Sequence, residues 1–408
     1  MRATRLTALF LAIAPAVLAQ SLNGLWDATV QVNGLDIPFR MEISTQGTAT
    51  AGQGTAATGT FFNGEERLSS TAGGFENGAL TLSFDYYAAK LEASLMGGVL
   101  QGTYTRAGRT YPFQAKRFVP SPLTEADVPA IAGLWEVGVQ SAKGESAWRL
   151  IVRQSGPEAT AAILRVDGDT GTLAGTYHDG KFVLSHFSGA RPLLLEVTPR
   201  KDGTLKVVQN GTEEMTAVRS ADARAKGLPR PTDPSRHTSV KDPTEPLRFS
   251  APDLEGHIVS NTDARFRNKV VIVAIGGSWC PNCHDEAPFL VELYRQYHSR
   301  GLEIVALSFE EAEQLSNPTR LRAFIKRYGI RYPVLLAGEQ SDLNAKLPQA
   351  VNLNAWPTTF FLGRDGRVRS VHAGFAGAAS GEFHQQLKEE VKGLVERLLA
   401  ENTVTQAK

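Results

Sequence analysis

The sequence predicts three folded units: two related all-β modules, each a barrel or a sandwich, followed by an α/β domain. Three observations carry this reading. Turn dipeptides recur through the first half, at Asn33-Gly34, Asn63-Gly64, Asn77-Gly78, Asp179-Gly180, Asp202-Gly203 and Asn210-Gly211, and such pairs accept the positive φ of tight hairpins. Between them apolar and polar residues alternate, as in 29–32 and 80–84, which turns one face of each strand inward. After residue 248 the rhythm changes to buried strands separated by amphipathic helices.

Length and composition agree with a multidomain globular chain. At 408 residues it exceeds one ordinary core, and about 150 residues per domain gives two to three. The 43 Lys and Arg balance 42 Asp and Glu, for a net charge of +1, so the basic excess that drives non-specific nucleic-acid binding is missing. With 42 % hydrophobic and 21 % charged residues, disordered and fibrous classes are excluded. No apolar run reaches the roughly 18–20 residues of a membrane span.

In chain order, residues 1–19 read as a cleaved signal peptide. Arg2 and Arg5 precede a short apolar stretch, and Val17-Leu18-Ala19 supplies the cleavage site before Gln20. The first β module is expected over 20–119 and the second over 128–220. Gly24-Leu25-Trp26-Asp27 returns as Gly133-Leu134-Trp135-Glu136, Gly59-Thr60-Phe61 as Gly175-Thr176-Tyr177, and residues 113–117 loosely as 215–219. The Gly-x-Trp opening resembles the first strand of lipocalin-type barrels, and Trp26 and Trp135 are expected to plug the barrel ends rather than touch a ligand. Residues 221–247 carry five prolines among charges and few large apolar side chains. That composition predicts an extended linker along which the last domain can move.

The C-terminal domain, 248–402, opens its pattern with an apolar strand at 270–275. A helix follows over 281–297, then a strand at 303–309 and a helix capped by Asn317-Pro318. A hairpin over 358–362 and 368–372 turns at Asp365-Gly366, and an amphipathic helix ends the domain, with Phe383, Leu387, Val391, Leu394 and Leu398 on its stripe.

Cysteine usage points to chemistry. An exported chain meets an oxidising compartment, yet this one has two cysteines only, Cys280 and Cys283. They are too close in sequence to staple distant loops. Trp279-Cys280-Pro281-Asn282-Cys283 lies where a buried strand meets a helix. Unsatisfied N–H groups and the helix dipole there favour a thiolate at Cys280. Pro281 fits the first turn, where its missing N–H costs nothing. One turn on, Cys283 is placed to attack a mixed disulfide formed by Cys280. A structural zinc site normally takes four Cys or His ligands, and no second cysteine pair exists. No metal and no cofactor beyond a redox-active Cys280–Cys283 disulfide is expected.

These residues resemble the exported TlpA/ResA-like thiol–disulfide oxidoreductases of the thioredoxin superfamily. The resemblance runs over about 248–400. It rests on the opening Phe249-Ser250-Ala251-Pro252-Asp253-Leu254, the Trp-Cys-x-x-Cys, Glu286 with Pro288, and Trp356-Pro357-Thr358-Thr359-Phe360. It implies a thioredoxin-like fold, a cis Pro357 facing the dithiol, and catalytic roles for Cys280, Cys283, Glu286 and Pro357. Trp279, Pro281, Asn282, Trp356 and Thr358 would face the substrate. Glu286 would exchange a proton near Cys283, or else be a solvated helix carboxylate. His284 is expected at a surface helix position rather than as a charge beside the thiolate. Three departures stand out: Ala274-Ile275-Gly276-Gly277 replaces an Asn-Phe-Trp-Ala run, Ala274 falls where ordinary thioredoxins bury an acid, and Trp356 is bulky before its proline.

The resemblance implies reduction of disulfides in exported envelope proteins, in a periplasmic or secreted setting, with a membrane electron donor restoring the dithiol. Neither nucleic acid nor a membrane span after signal cleavage is expected. A peroxiredoxin-type peroxidase is the competing enzyme, although position 277, where that chemistry wants a hydroxyl, is glycine. A copper-binding assembly factor is the competing non-enzyme, although its cysteines would be spaced by three residues.

Overall fold

The computed structural model describes residues 22–46, 54–190 and 192–401; the expected signal peptide lies outside them. Among the described residues the first module has nine strands, from Gly24–Val32 to Arg109–Arg117. The first strand pairs with the second and with the last, and the second also pairs with the third. The antiparallel meander therefore closes on itself, and the module is a barrel. The second module, from Gly133–Gly138 to Glu213–Arg219, repeats that order strand for strand.

Alternation does the work the sequence assigns to it. Along Gly24–Val32, Trp26, Ala28 and Val30 point into the barrel and their neighbours point out. Both tryptophans are plugs. The Trp26 indole donates to the Leu22 carbonyl at 2.9 Å, and Trp135 donates to that of Ile131 at 2.9 Å. Arg117 and Arg219, from the last strands, lie over these rings at 4.1 and 3.8 Å. One echo is corrected. Gly59-Thr60-Phe61 lies in the third strand of its barrel, whereas 175–177 lies in the fifth strand of the other. The similarity reflects shared small-residue strand composition, not equivalence.

The barrels are joined through their cores. Phe187, after the sixth strand of the second barrel, inserts into the first, with ring centroids 4.5 Å from Phe39, 5.1 Å from Tyr104 and 5.5 Å from Phe61. Asn63 clamps the Phe187 backbone, accepting from its N–H at 2.9 Å and donating to its carbonyl at 3.3 Å.

The C-terminal domain holds a five-stranded sheet in the order Val334–Glu339, Leu302–Glu310, Val270–Gly276, Thr358–Leu362, Val368–Ala373. The first three strands are parallel to one another, and each of the remaining pairings is antiparallel. Helices Pro281–Tyr297, Thr319–Tyr328 and Glu382–Ala400 pack one face through Leu290, Leu293, Phe324 and Val395. Leu247, Phe249, Leu343 and Leu347 cover the other. The strand Val334–Glu339 completes a sheet edge that the sequence reading leaves out. No helix among the described residues is long and apolar enough to cross a membrane.

The proline-rich stretch is not a free tether. Ala223 is fully buried against the second barrel, and Arg224 pairs with Glu136. Beyond it, Ser239–Val240 pairs with Ala350–Val351 of the C-terminal domain. His237 sits between Asn354 and Asn352, at 2.6 Å from the Asn354 Oδ1 and accepting at its carbonyl from Asn352 at 2.8 Å. Composition does not reveal this docking, because backbone pairing and one histidine carry much of it and the apolar contribution is limited to isolated side chains, Val240 and Leu247.

Candidate active site

The central strand Val270–Gly276 is flanked on both sides, which explains its unbroken apolar run. It delivers the chain to the start of helix Pro281–Tyr297. Gly276 and Gly277 are small because space demands it. A Cβ on Gly276 would lie 3.1 Å from the Cys283 sulfur, and one on Gly277 would lie 2.5 Å from the Phe309 carbonyl and 2.3 Å from the Trp279 indole nitrogen. The departure at these positions thus fits the thiol and the tryptophan of this chain. The same crowding leaves no room for a hydroxyl side chain at 277.

A buried ionic cluster fixes the next residue. Glu310 accepts from the Ser278 N–H and hydroxyl, each at 2.7 Å, from Ser308 at 2.7 Å, and from Arg320 at 2.9 Å. Arg320 also donates to the Ser278 hydroxyl at 2.8 Å. Both charged side chains are almost completely buried, and their bonds hold the loop that ends at Cys280. Sequence reading misses this cluster, because its members are spread over three elements with no common spacing.

Cys280 is the N-cap of the helix, and its sulfur accepts from the Cys283 N–H at 3.3 Å. Both thiols are free. Burial, the neighbouring Cys280 and then Glu286 push the Cys283 thiol well above the ordinary range. Glu286 is buried, not solvated, and accepts from the Thr359 hydroxyl at 2.6 Å. Desolvation raises its carboxyl to about 7, against the smaller opposing effect of the Thr359 bond. Cys283, Glu286, Ala274 and Tyr332 border one cavity of about 40 Å³, large enough for a water molecule. The acid absent from position 274 is therefore supplied to the same cavity from the helix.

The Trp356–Pro357 peptide is cis, and Pro357 is buried at the start of strand Thr358–Leu362. Trp279 and Trp356 meet edge to face at 5.5 Å, and the Trp279 indole donates to the Phe309 carbonyl at 2.8 Å. Three expectations are corrected. Thr358 does not face a substrate: it is buried and its hydroxyl donates to the Ala355 carbonyl at 2.8 Å. His284 is not at the surface. Its Nε2 donates to the Ser278 carbonyl and its Nδ1 accepts from the Tyr328 hydroxyl, both at 2.9 Å. Burial lowers it to about 3, so the ring is neutral at physiological pH. Its ring partners are Phe324, Tyr328 and, from the first barrel, Tyr87, none of which a helical pattern displays. Asn282 also points away from solvent, donating to the Asp167 carbonyl of the second barrel at 2.6 Å.

Comparison with known proteins addresses the same domain. Residues 244–371 match the model of the AhpC/TSA family. Thiol-disulfide oxidoreductase ResA of a Bacillus cereus strain is 29 % identical over 154 residues, 38 % of this chain and 76 % of that protein. ResA of Bacillus subtilis (strain 168) is 28 % identical over 136 residues, 33 % of this chain and 69 % of that protein. Among solved structures, a putative thiol:disulfide interchange protein DsbE from Chlorobium tepidum aligns at 20 % identity and a TM-score of 0.31. It covers 40 % of this chain and all of that one. The relatives and the family match converge on the domain that carries the dithiol, and the protein is a thiol–disulfide oxidoreductase whose C-terminal domain is thioredoxin-like.

Proposed function

We propose that the protein is exported and reduces disulfides of other exported proteins through the Cys280-Pro281-Asn282-Cys283 dithiol. The observation that carries this reading is the pair of free thiols at a helix start with Glu286 bordering the cavity of Cys283. Cys280, as thiolate, attacks one sulfur of the substrate disulfide. That S–S bond breaks, a mixed disulfide forms, and the released substrate sulfur takes up a proton. Glu286 then takes the proton of Cys283, whose sulfur attacks Cys280. The second substrate sulfur leaves as a thiolate and takes up a proton, and Glu286 releases the one it accepted. Two electrons have passed to the substrate, and Cys280–Cys283 is a disulfide. A membrane electron donor restores the dithiol.

Cys280→Ser abolishes reduction, and Cys283→Ser accumulates a mixed disulfide through Cys280, read by mass spectrometry. Capture through residue 283 in the reverse pair would overturn the roles. Direction is tested separately. Dithiols of this kind span about −270 to −120 mV, and roughly 30 mV corresponds to 1.4 kcal/mol. Equilibration with glutathione buffers, followed by Trp279 fluorescence, is expected to give a value toward the reducing end. One near the oxidising end would make the protein an oxidase of exported thiols.

A further inference from the structure

A dithiol that reduces proteins must be reached by them, yet Cys280 has 0 % of its surface exposed and Cys283 has 5 %. Residues 166–169 of the second barrel lie beside them. The Asp167 carbonyl accepts from Asn282, inside the Cys-x-x-Cys itself, at 2.6 Å. Gly168 pairs with Phe375 in a parallel bridge, just past the second strand of the hairpin that starts at the cis-proline. Val166 is buried with Ala355 and Ala373, the first of them adjoining Trp356-Pro357. Asp169 accepts from the Ser380 N–H at 3.1 Å.

The seam is fitted on both sides. Gly168, at φ +112°, has no room for a Cβ, which would lie 2.2 Å from the Phe375 carbonyl. Gly374, at φ +69°, would place a Cβ 2.3 Å from the Val166 carbonyl. Two glycines at positive φ, facing each other across the seam, let the two backbones touch. The segment is held from its own barrel as well: Lys143 pairs with Asp167, and the Val166 N–H donates to Glu145 at 2.7 Å. Tyr87 of the first barrel packs on His284 of helix Pro281–Tyr297 at 4.8 Å, and Arg327 of helix Thr319–Tyr328 lies over Tyr86 of that barrel at 4.1 Å.

We propose that residues 166–169 act as an intramolecular ligand, occupying the place where a protein substrate lays its chain across the dithiol. The barrels are then a cover that must lift before a protein disulfide reaches Cys280. The proposal rests on the thiol-exchange reading of the site. The bound segment also describes the partner that fits: an extended polypeptide with an aliphatic residue over Ala355 and Ala373, a free carbonyl for Asn282, and a residue no larger than glycine against Phe375. Strand-like backbone pairing supplies the affinity, and the small wall residues supply the selection. Residues 229–232, containing Pro229 and Pro231, lie between the part of the chain held to the barrel and the turn Pro234–Arg236 held to the last domain, and supply the hinge.

The test uses the full-length reduced protein and the variants Gly168→Val and Asp169→Ala. Cys280 is alkylated with iodoacetamide over a pH series, so that the limiting rate at high pH separates access from ionisation. The wild type is expected to react at least tenfold more slowly than its urea-unfolded form. Gly168→Val should remove most of that difference and raise insulin reduction in step, and Asp169→Ala should do so partially. Wild-type alkylation as fast as in the unfolded chain would overturn the proposal, as would unchanged rates in both folded variants. If Gly168→Val does not fold, Asp169→Ala alone decides. Faster alkylation with no insulin reduction would leave the cover standing and reject the thiol-exchange reading instead.

Discussion

Glu286 shows how much one carboxyl can be asked to do. Its ordinary value of 4.5 is raised to about 7 by burial in the folded domain. Between those two values the unfolded chain has lost the proton and the folded one still holds it, so stability falls as pH rises through this window. The contribution is fully present below about 4.5, is lost by about 7, and is on the order of 3 kcal/mol. Glu286→Gln should flatten that slope, read as the urea midpoint at pH 4.5 and at pH 8. It should also remove the rise, centred near pH 7, in the rate at which Cys283 resolves the mixed disulfide. A slope that survives the substitution would assign it to another group. The two cysteines are legible in the sequence because thiol exchange binds residue type to spacing, whereas Glu286 and Pro357 are singled out only by the family resemblance. His284 and Asn282 are not legible, because their partners Tyr87 and Asp167 lie far away in the chain, and neither periodicity nor motif encodes a contact between domains.

At the scale of elements, the repeat is legible where each copy solves the same packing problem. Each barrel needs a plug and a cation over it, and Trp26 with Arg117 and Trp135 with Arg219 provide them. It misleads where three small or β-prone residues recur by composition, as at Gly59 and Gly175. Phe187 has no signal at all, since a phenylalanine after a strand looks like any other core residue until its barrel is known. Its ring is buried among Phe39, Phe61 and Tyr104 of the other barrel. Phe187→Ala should therefore cost about 3–5 kcal/mol and lower the melting of the first barrel as well as the second, seen by calorimetry. Loss confined to the second barrel would show that the insertion is not part of the first core. The Glu310–Arg320 pair offers a companion measurement. Arg320 also pairs with the half-buried Glu311, so Glu310→Ala leaves the buried guanidinium with one carboxylate in place of two, and breaking a buried pair costs up to about 3–5 kcal/mol. A change smaller than this range by several-fold would mean that the Glu311 pairing compensates Arg320 fully.

At the scale of the whole molecule, the fold classes follow from the sequence, and the way the units are held together does not. Strand alternation, turn chemistry and helix stripes report local periods, so they divide the chain into two all-β modules and an α/β domain, and closure into barrels comes from the pairing of first and last strands. The stretch over 221–247 reads as a tether because prolines and charges leave no apolar period. Its second half is instead part of the last domain, through the Ser239–Val240 pairing, the His237 bonds, and the Lys241 N–H donating to the Gln349 carbonyl at 2.8 Å. Two fragments separate these readings. One begins at Pro246, two residues before the start of the domain that the sequence predicts, and the other begins at Asp233. Both should fold and exchange thiols with a small disulfide, since both keep the sheet, the helices and the dithiol. The longer one recovers several hydrogen bonds at a net of about 1 kcal/mol each, offset by the entropy of ordering the added chain. It should unfold at the higher urea midpoint, by roughly 2 kcal/mol in extrapolated stability. Equal midpoints would return residues 233–245 to the role of a tether, and would move the hinge of the cover from 229–232 into that longer stretch.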